Sequence, residues 1–437
     1  MPLTRVSLAG IAAAVAVPVA WAQPDAPTAP EAPAPAATEP APETVAAVPV
    51  GDQIAGAIKN GKVSLDIRTR AEIADLEGLD VAQAYTIRTR LGYLTDTWEG
   101  FQLFAEFEDV RTLDDSLYND GPGESTDGLD RSIVADPETS ELNQAWITYA
   151  NKDWLDSKVK AGRQLIVFDD QRFVGHVRWR QDDQTFDAVR LDSTFDIPDF
   201  NFSASYVTQV NRIFGEEADF NDADIVLLNA QQKVKGWGNL SVFGYLLDID
   251  ESPANSSNTV GFRFAGKRPL EQKGYGLNYA FSYAYQEDTG LNPTDYDASY
   301  YAVDLGLKTP KYGTFGAGYE VLGTDDGTFG FRTPLATLHK FNGFADQFLV
   351  TPAAGLEDIY AYVALPLPKE SKAKAKFVYH YFTDNDNRDE FGQELDMVIT
   401  QKWTENVSGL AKLAYFYADA TGFRDEVVLT FDINIKF

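Results

Sequence analysis

From residue 60 onward apolar and polar residues alternate with period two, the signature of strands with one dry and one wet face. The last segment is clearest: Val427, Leu429, Phe431, Ile433, Ile435 and Phe437 share one face, and Val428, Thr430, Asp432, Asn434 and Lys436 the other. The same alternation sets Val63, Leu65 and Ile67 against Asp66, Arg68 and Arg70. Eighteen strands are predicted, at 62–72, 82–94, 98–110, 140–150, 156–166, 184–194, 200–212, 225–235, 238–248, 258–268, 275–286, 298–308, 314–322, 356–366, 373–383, 391–402, 406–418 and 424–437. Most are longer than the roughly 5–6 residues of soluble strands and match the ~9–11 of tilted membrane strands.

Short connections alternate with long ones, which marks a transmembrane antiparallel β-barrel of the outer-membrane kind, with turns on one side and loops on the other. An even strand count places both termini at the short-turn side, in the periplasm. Tyr93, Trp98, Tyr149, Trp154, Trp237, Tyr275, Tyr285, Tyr312 and Trp403 fall near strand ends, where interfacial girdles need such rings. Phe437 closes an alternating strand, a form suited to recognition by the barrel-assembly machinery. Ahead of the barrel, Arg5, the apolar run from Leu8 to Val19 and the small-x-small Ala20-Trp21-Ala22 read as a signal peptide, residues 1–22. Residues 23–59 are rich in Ala and Pro and are expected to form a disordered periplasmic spacer. The barrel is residues 60–437.

Composition sharpens this in two ways. The 437 residues include no Cys and 3 His, which excludes thiolate chemistry, disulfides and a His/Cys zinc site. The net charge of -29 argues against nucleic acid as a partner. That charge is axial. The predicted long loops hold 34 acids against 8 bases, whereas the rest of the chain beyond residue 49 balances at 28 against 28. No cofactor is expected. The densest acidic runs, Glu216-Glu217-Ala218-Asp219 and Asp384 to Glu390, lack EF-hand spacing. Their preferred reading is solubility and repulsion between neighbours; a divalent cation bridging them to lipopolysaccharide phosphates is the second.

Arginines mark a middle-to-outer level of the barrel. Arg68, Arg70, Arg88, Arg90, Arg190 and Arg263 fall on predicted lumen faces, because a charge facing lipid near the midplane is costly. These residues either brace the wall against Asp66, Glu108, Asp432 and similar acids, or form a ladder that hands an anion from site to site. Residues 162–191, GRQLIVFDDQRFVGHVRWRQDDQTFDAVRL, add Arg163, Arg172, Arg178 and Arg180 with Trp179. A long loop so rich in Arg is expected to fold inward and narrow the pore. Residues 334–349, PLATLHKFNGFADQFL, carry His339 and Lys340 among three Phe and are too apolar for an exposed loop. They are expected to form a short helix or plug at or inside the barrel mouth.

The phrases GRQ, DDQRFVGHVRWRQDDQTFDAVRL and TLHKFNGFADQF resemble the alginate export family of outer-membrane porins. The resemblance runs from about residue 60 to the C-terminus. It implies an 18-stranded barrel in the outer membrane of a Gram-negative bacterium, with lipid and lipopolysaccharide around it. It also implies an arginine-lined conduit for an anionic polysaccharide, with Arg172, Arg178, Arg180 and Arg190 at the matching positions. The solute stays open between an alginate-type oligo- or polysaccharide and a small carboxylate passed by a diffusion porin. An enzyme is not expected, since no Ser-His-acid grouping follows from the spacing of His176, His339 and His380; a structural anchor would leave the inward Arg series without a use.

Overall fold

The computed structural model describes residues 49–122, 128–215, 218–290, 292–368, 371 and 373–437. The signal peptide, the spacer up to residue 48 and the Glu216-Glu217 pair lie outside the described residues. The spacer expected at 23–59 ends earlier than its composition suggests: Val50–Lys59 is an α-helix, α1. It follows Pro49, carries Asp52 in its first turn and Lys59 in its last, both favourable to the helix dipole.

Among the described residues twenty strands follow. They are β1 (Lys62–Leu76), β2 (Ala82–Leu94), β3 (Phe101–Thr112), β4 (Thr139–Asn151), β5 (Ser157–Gln164), β6 (Thr185–Ser193), β7 (Phe200–Asn211), β8 (Ala223–Val234), β9 (Gly238–Ile249) and β10 (Ser257–Pro269). Then come β11 (Gly276–Asp288), β12 (Asp297–Thr309), β13 (Gly313–Leu322), β14 (Thr324–Asp325), β15 (Phe329–Gly330), β16 (Leu356–Pro366), β17 (Ala373–Thr383), β18 (Glu390–Lys402), β19 (Val407–Ala418) and β20 (Glu426–Lys436). All but β14 and β15 form one 18-stranded antiparallel sheet. It closes where β1 pairs with β20, from Asp66 opposite Lys436 to Leu76 opposite Glu426. Each predicted strand has its counterpart. The hairpin β14–β15 is an addition inside a long loop.

The alternation sorts the side chains. Outward positions such as Val63, Leu91, Leu103, Phe107, Val260, Phe281 and Phe431 are exposed, forming an apolar belt that only lipid can cover. Trp154, Trp237, Tyr312 and Trp403 stand exposed at the short-turn end of this belt. Inward positions are polar toward the short-turn end and apolar toward the long-loop end. There Phe186, Ile225, Leu227, Phe382 and Phe416 are fully buried against loop residues Ile166, Phe331 and Leu335. The barrel is thus filled, not hollow, over its long-loop half. Asp384, in one acidic run, is spent on its own turn: its carboxylate accepts from the backbone N–H groups of Asp386, Asn387 and Arg388.

Candidate functional site

Two loops fill the barrel. Residues 165–184 leave β5 and return to β6. Residues 331–355 complete the connection that opens with the β14–β15 hairpin and include a single 3-10 turn, Leu338–Lys340. The loops interlock through backbone and side chain. The Gly175 N–H donates to the Leu335 carbonyl at 2.9 Å, and Gln184 Nε2 to the same carbonyl at 3.0 Å. The Val177 N–H donates to Thr337 Oγ1 at 3.1 Å, and that hydroxyl donates to Gln171 Oε1 at 2.8 Å. Gly175 has a specific reason to lack a side chain: a Cβ there would sit 2.3 Å from Thr337 Oγ1.

The wall grips the first loop with arginines. Arg68 donates to Gln181 Oε1 at 2.9 Å and to the carbonyls of Arg178 and Arg180. Arg70 pairs with Asp432 at 2.8 Å and with Asp136 at 3.0 Å, and donates to the Trp179 carbonyl. Arg88 pairs with Asp66 at 2.7 Å and donates to the Gln181 carbonyl. Arg90 pairs with Glu108 and, at 2.8 Å, with Asp183 of the loop. A guanidinium offers five donors in a fixed fork, so it can satisfy a wall carboxylate and a loop carbonyl together. Burial alone would raise the Asp183 carboxyl, but Arg90 and Arg178 hold it well below the usual carboxylate range.

The loops' own charges complete the lock. Arg180 joins Glu72 of β1 at 2.8 Å to Asp346 of the second loop at 3.2 Å. Arg172 pairs with Glu320 of β13 at 2.8 Å and donates to Asn342 at 3.0 Å. Asp346 accepts from His339 Nδ1 at 2.8 Å, and the other ring nitrogen meets the Lys412 ammonium of β19. Trp179 lies flat on His339, centroids 4.0 Å apart, with Arg70 over its ring at 4.3 Å. Glu394 of β18 accepts from the backbone N–H groups of Phe344 and Ala345.

Burial lowers His339 to about 3, against the pull of Asp346, so it is neutral in the closed plug. In an opened plug it would titrate near 6.5. A base whose closed-state pKa is depressed favours the closed form above 6.5, and that preference fades as pH falls toward the closed-state value. Acidification from pH 7 to 5.5 is expected to shift the balance toward opening by about 1 kcal/mol. Single-channel conductance should rise more over that range in the wild type than in His339→Gln. Equal pH profiles would contradict the assignment.

What remains of the lumen is a set of cavities. One of about 560 Å³ opens toward the short-turn end and is lined by Arg68, Arg88, Arg178, Lys374, Lys402 and Lys436 against Glu405 and Asp432. A second, about 350 Å³, lies between residues 340–344 and the wall, with Lys340, Arg263, Lys376, Asp304 and Tyr360 among its lining. A third, about 410 Å³, shares Asp170 and Arg263 with it. Toward the long-loop end a cavity of about 80 Å³ is lined by Arg172, Arg212 and Arg332.

The predicted site residues therefore divide. Arg68, Arg70, Arg88, Arg90, Arg172, Arg180, Trp179 and His339 come together as the fastening of the plug. Arg178, beside Asp183 at 2.7 Å, keeps a third of its side chain open to the first cavity. Arg263 pairs with Asp170 at 3.0 Å, and the Lys340 ammonium donates to the Asp170 carbonyl at 2.7 Å; both face the second cavity. Arg190 faces the lumen wall, held by Asp192 at 2.6 Å.

Arg163 is a correction. It shares the outward face of β5 with Val159 and Ala161 and stands opposite outward Asp187, which it pairs at 2.9 Å. Val189, opposite Ala161 in the same register, is exposed on that face. Arg163→Ala is expected to leave ion selectivity unchanged in a reversal-potential measurement; a shift would contradict this placement.

Sequence reasoning missed Glu72, Asp136, Gln181, Asn342, Lys412 and the space-limited Gly175. Among the first five, only the strand residues Glu72 and Lys412 carried a signal, a charge on the lumen side of the alternation. His380 is held between Asp358 at 2.9 Å and Asp396 at 3.6 Å, and His339 between Asp346 and Lys412, so neither ring faces a nucleophile.

The fold has recognisable relatives. OpdK of Pseudomonas aeruginosa, crystallised with vanillate, superposes with a TM-score of 0.68 at 12% identity, over 87% of this chain and 100% of its own. OccK9 (OpdG) of the same organism gives 0.67 at 14% identity, and OccAB3 of Acinetobacter baumannii 0.67 at 14%, with the same coverage. At such identity the likeness is one of fold. Among curated protein sequences no relative matches. The model of the alginate export family matches residues 59–348, which contain the first loop and residues 331–348 of the second. The chain belongs to the alginate export family of outer-membrane β-barrel channels.

Proposed function

We propose that the protein passes small anionic or hydroxyl-rich solutes passively across the outer membrane, with both termini and the short turns in the periplasm. The single observation behind this reading is the 560 Å³ cavity, where six cationic side chains face two carboxylates. Net charge says little here, because the excess acid lies on the loops. Lipid and lipopolysaccharide cover the apolar belt. The exposed ring of Phe437 ends the strand read by the barrel-assembly machinery.

Cavities of this size hold a small carboxylate or a short sugar acid, not a polymer. Vanillate, the ligand of the structurally similar OpdK crystal, is a carboxylate of that size. Passage of an alginate-type polysaccharide requires the plug to withdraw.

Reversal potentials in planar bilayers test the reading. The wild type is expected to prefer anions, and the triple variant Lys374→Glu, Lys402→Glu, Lys436→Glu to lose or reverse that preference. Cation preference in the wild type would contradict it, and absence of any conductance would reject a channel.

A further inference from the structure

Helix α1 carries an apolar stripe that the barrel does not use. Val50, Ile54 and Ile58 recur every fourth residue and are all exposed. At about 100° per residue they form one narrow face, while Asp52 and Lys59 project from nearly the opposite side. The half-buried residues Gln53, Gly56 and Ala57 lie on a flank between these two faces. That flank is the one fastened to the barrel. The Tyr93 hydroxyl donates to the Ile58 carbonyl, Trp98 Nε1 to Gln53 Oε1 at 3.2 Å, and the Asp96 N–H to the Ala57 carbonyl at 2.9 Å.

Those contacts fix where the helix lies. Tyr93 is on the outward face of β2, two residues from exposed Leu91 and opposite Val63, which is 67% exposed. Asp96 and Trp98 belong to the short turn between β2 and β3. The helix therefore runs along the outside of the short-turn rim, beside the lipid-facing belt. A helix with an apolar face, a charged opposite face and one flank on an aromatic girdle has the anatomy of an interfacial helix. Water on both faces would leave three large aliphatic side chains solvated next to hydrocarbon.

We propose that α1 lies in the membrane surface at the short-turn end, its Val50–Ile54–Ile58 stripe dipped among lipid acyl chains. Asp52 and Lys59 face the aqueous side. The occupant of the stripe is lipid, because the stripe continues the belt that lipid already covers at Val63 and Leu91.

The absence of native Cys makes the test direct. Single variants Asp52→Cys, Ile54→Cys, Ile58→Cys, Lys59→Cys and Val63→Cys of the full chain carry a bimane label in phosphatidylcholine vesicles. Brominated acyl chains quench from the lipid, and iodide quenches from water. The expected result is loss of fluorescence to brominated lipid at 54 and 58, as at the reference position 63. Positions 52 and 59 should respond to iodide. Iodide quenching at 54 and 58, with position 63 still quenched by lipid, would overturn the proposal in a correctly inserted barrel. Protection of 54 and 58 from both quenchers would also overturn it, since a protein or a second copy would then cover the stripe.

Discussion

Arg70→Ala is expected to raise single-channel conductance more than any other single substitution in the wall. The Arg70 side chain is fully buried, and it faces Asp136 and Asp432 together while donating to the Trp179 carbonyl. Removing it leaves two carboxylates buried without their counter-charge, a cost of about 3–5 kcal/mol. The β-ladder bonds of β1 do not involve the guanidinium, so the barrel can hold while the loop gives way. Trp179 would lose the cation over its ring, and the His339 stack would loosen with it. Arg70→Lys keeps the charge but not the fork, and is expected to fall between the two. Planar-bilayer recordings measure both variants. Wild-type conductance in Arg70→Ala would mean that the first loop is held without it.

Gly175→Val is the second large effect, and it acts on the contact between the loops. Its branched side chain would collide with Thr337 Oγ1, 2.3 Å from the Cβ position, and with Gln171 Cβ at 2.8 Å. Overfilling a tight contact costs typically about 1–3 kcal/mol. Here the strain can be relieved only by parting the backbone bond from Gly175 to Leu335. The loops should separate at this seam while the arginine clamps stay in place. A larger, noisier conductance and new cleavage by protease within residues 165–184 are expected. Gly175→Ala, whose single methyl meets the same atoms, should give a smaller change of the same kind. Wild-type conductance and protease resistance in Gly175→Val would show that the seam tolerates a side chain.

These effects bear on how much the chain discloses before folding. The barrel is legible because its strands are long and their alternation is strict. A one-residue slip in β1 would turn Arg68 and Arg70 to lipid and Ile67 to the lumen. Helix α1 was hidden in the Ala/Pro-rich composition, although Pro49, Asp52, the four-residue spacing of Val50, Ile54 and Ile58, and Lys59 together spell a short helix. Arg163 shows a different limit. Its place in an arginine-rich phrase suggested the pore, whereas strand parity from Val159 and Ala161 puts it outside.

The fastening of the plug was the least legible part. Arg180 meets Glu72 across 108 positions and Asp346 across 166. No local pattern specifies such partners. The sequence reading left wall bracing and an anion ladder as alternatives for the lumen arginines. In the structure most of these guanidiniums are committed to carboxylates and loop carbonyls. Arg178 and the short-turn lysines remain open to the lumen. Selectivity is thus expected to reside in those open cations, and closure in the buried ones.

The central claim is that residues 165–184 sit inside the barrel, against β1 and β2, in the working channel. Gln181 Nε2 lies 2.8 Å from Thr86 Oγ1 at that contact. The variant Thr86→Cys, Gln181→Cys, in a chain with no other cysteine, reports it directly. A bifunctional methanethiosulfonate with a one-carbon spacer, which spans the gap left by the shorter cysteine side chains, is predicted to join the two positions in the membrane and leave conductance at the unmodified level. Two thiols that are modified singly without joining, and that react readily with a water-soluble maleimide, would contradict the account.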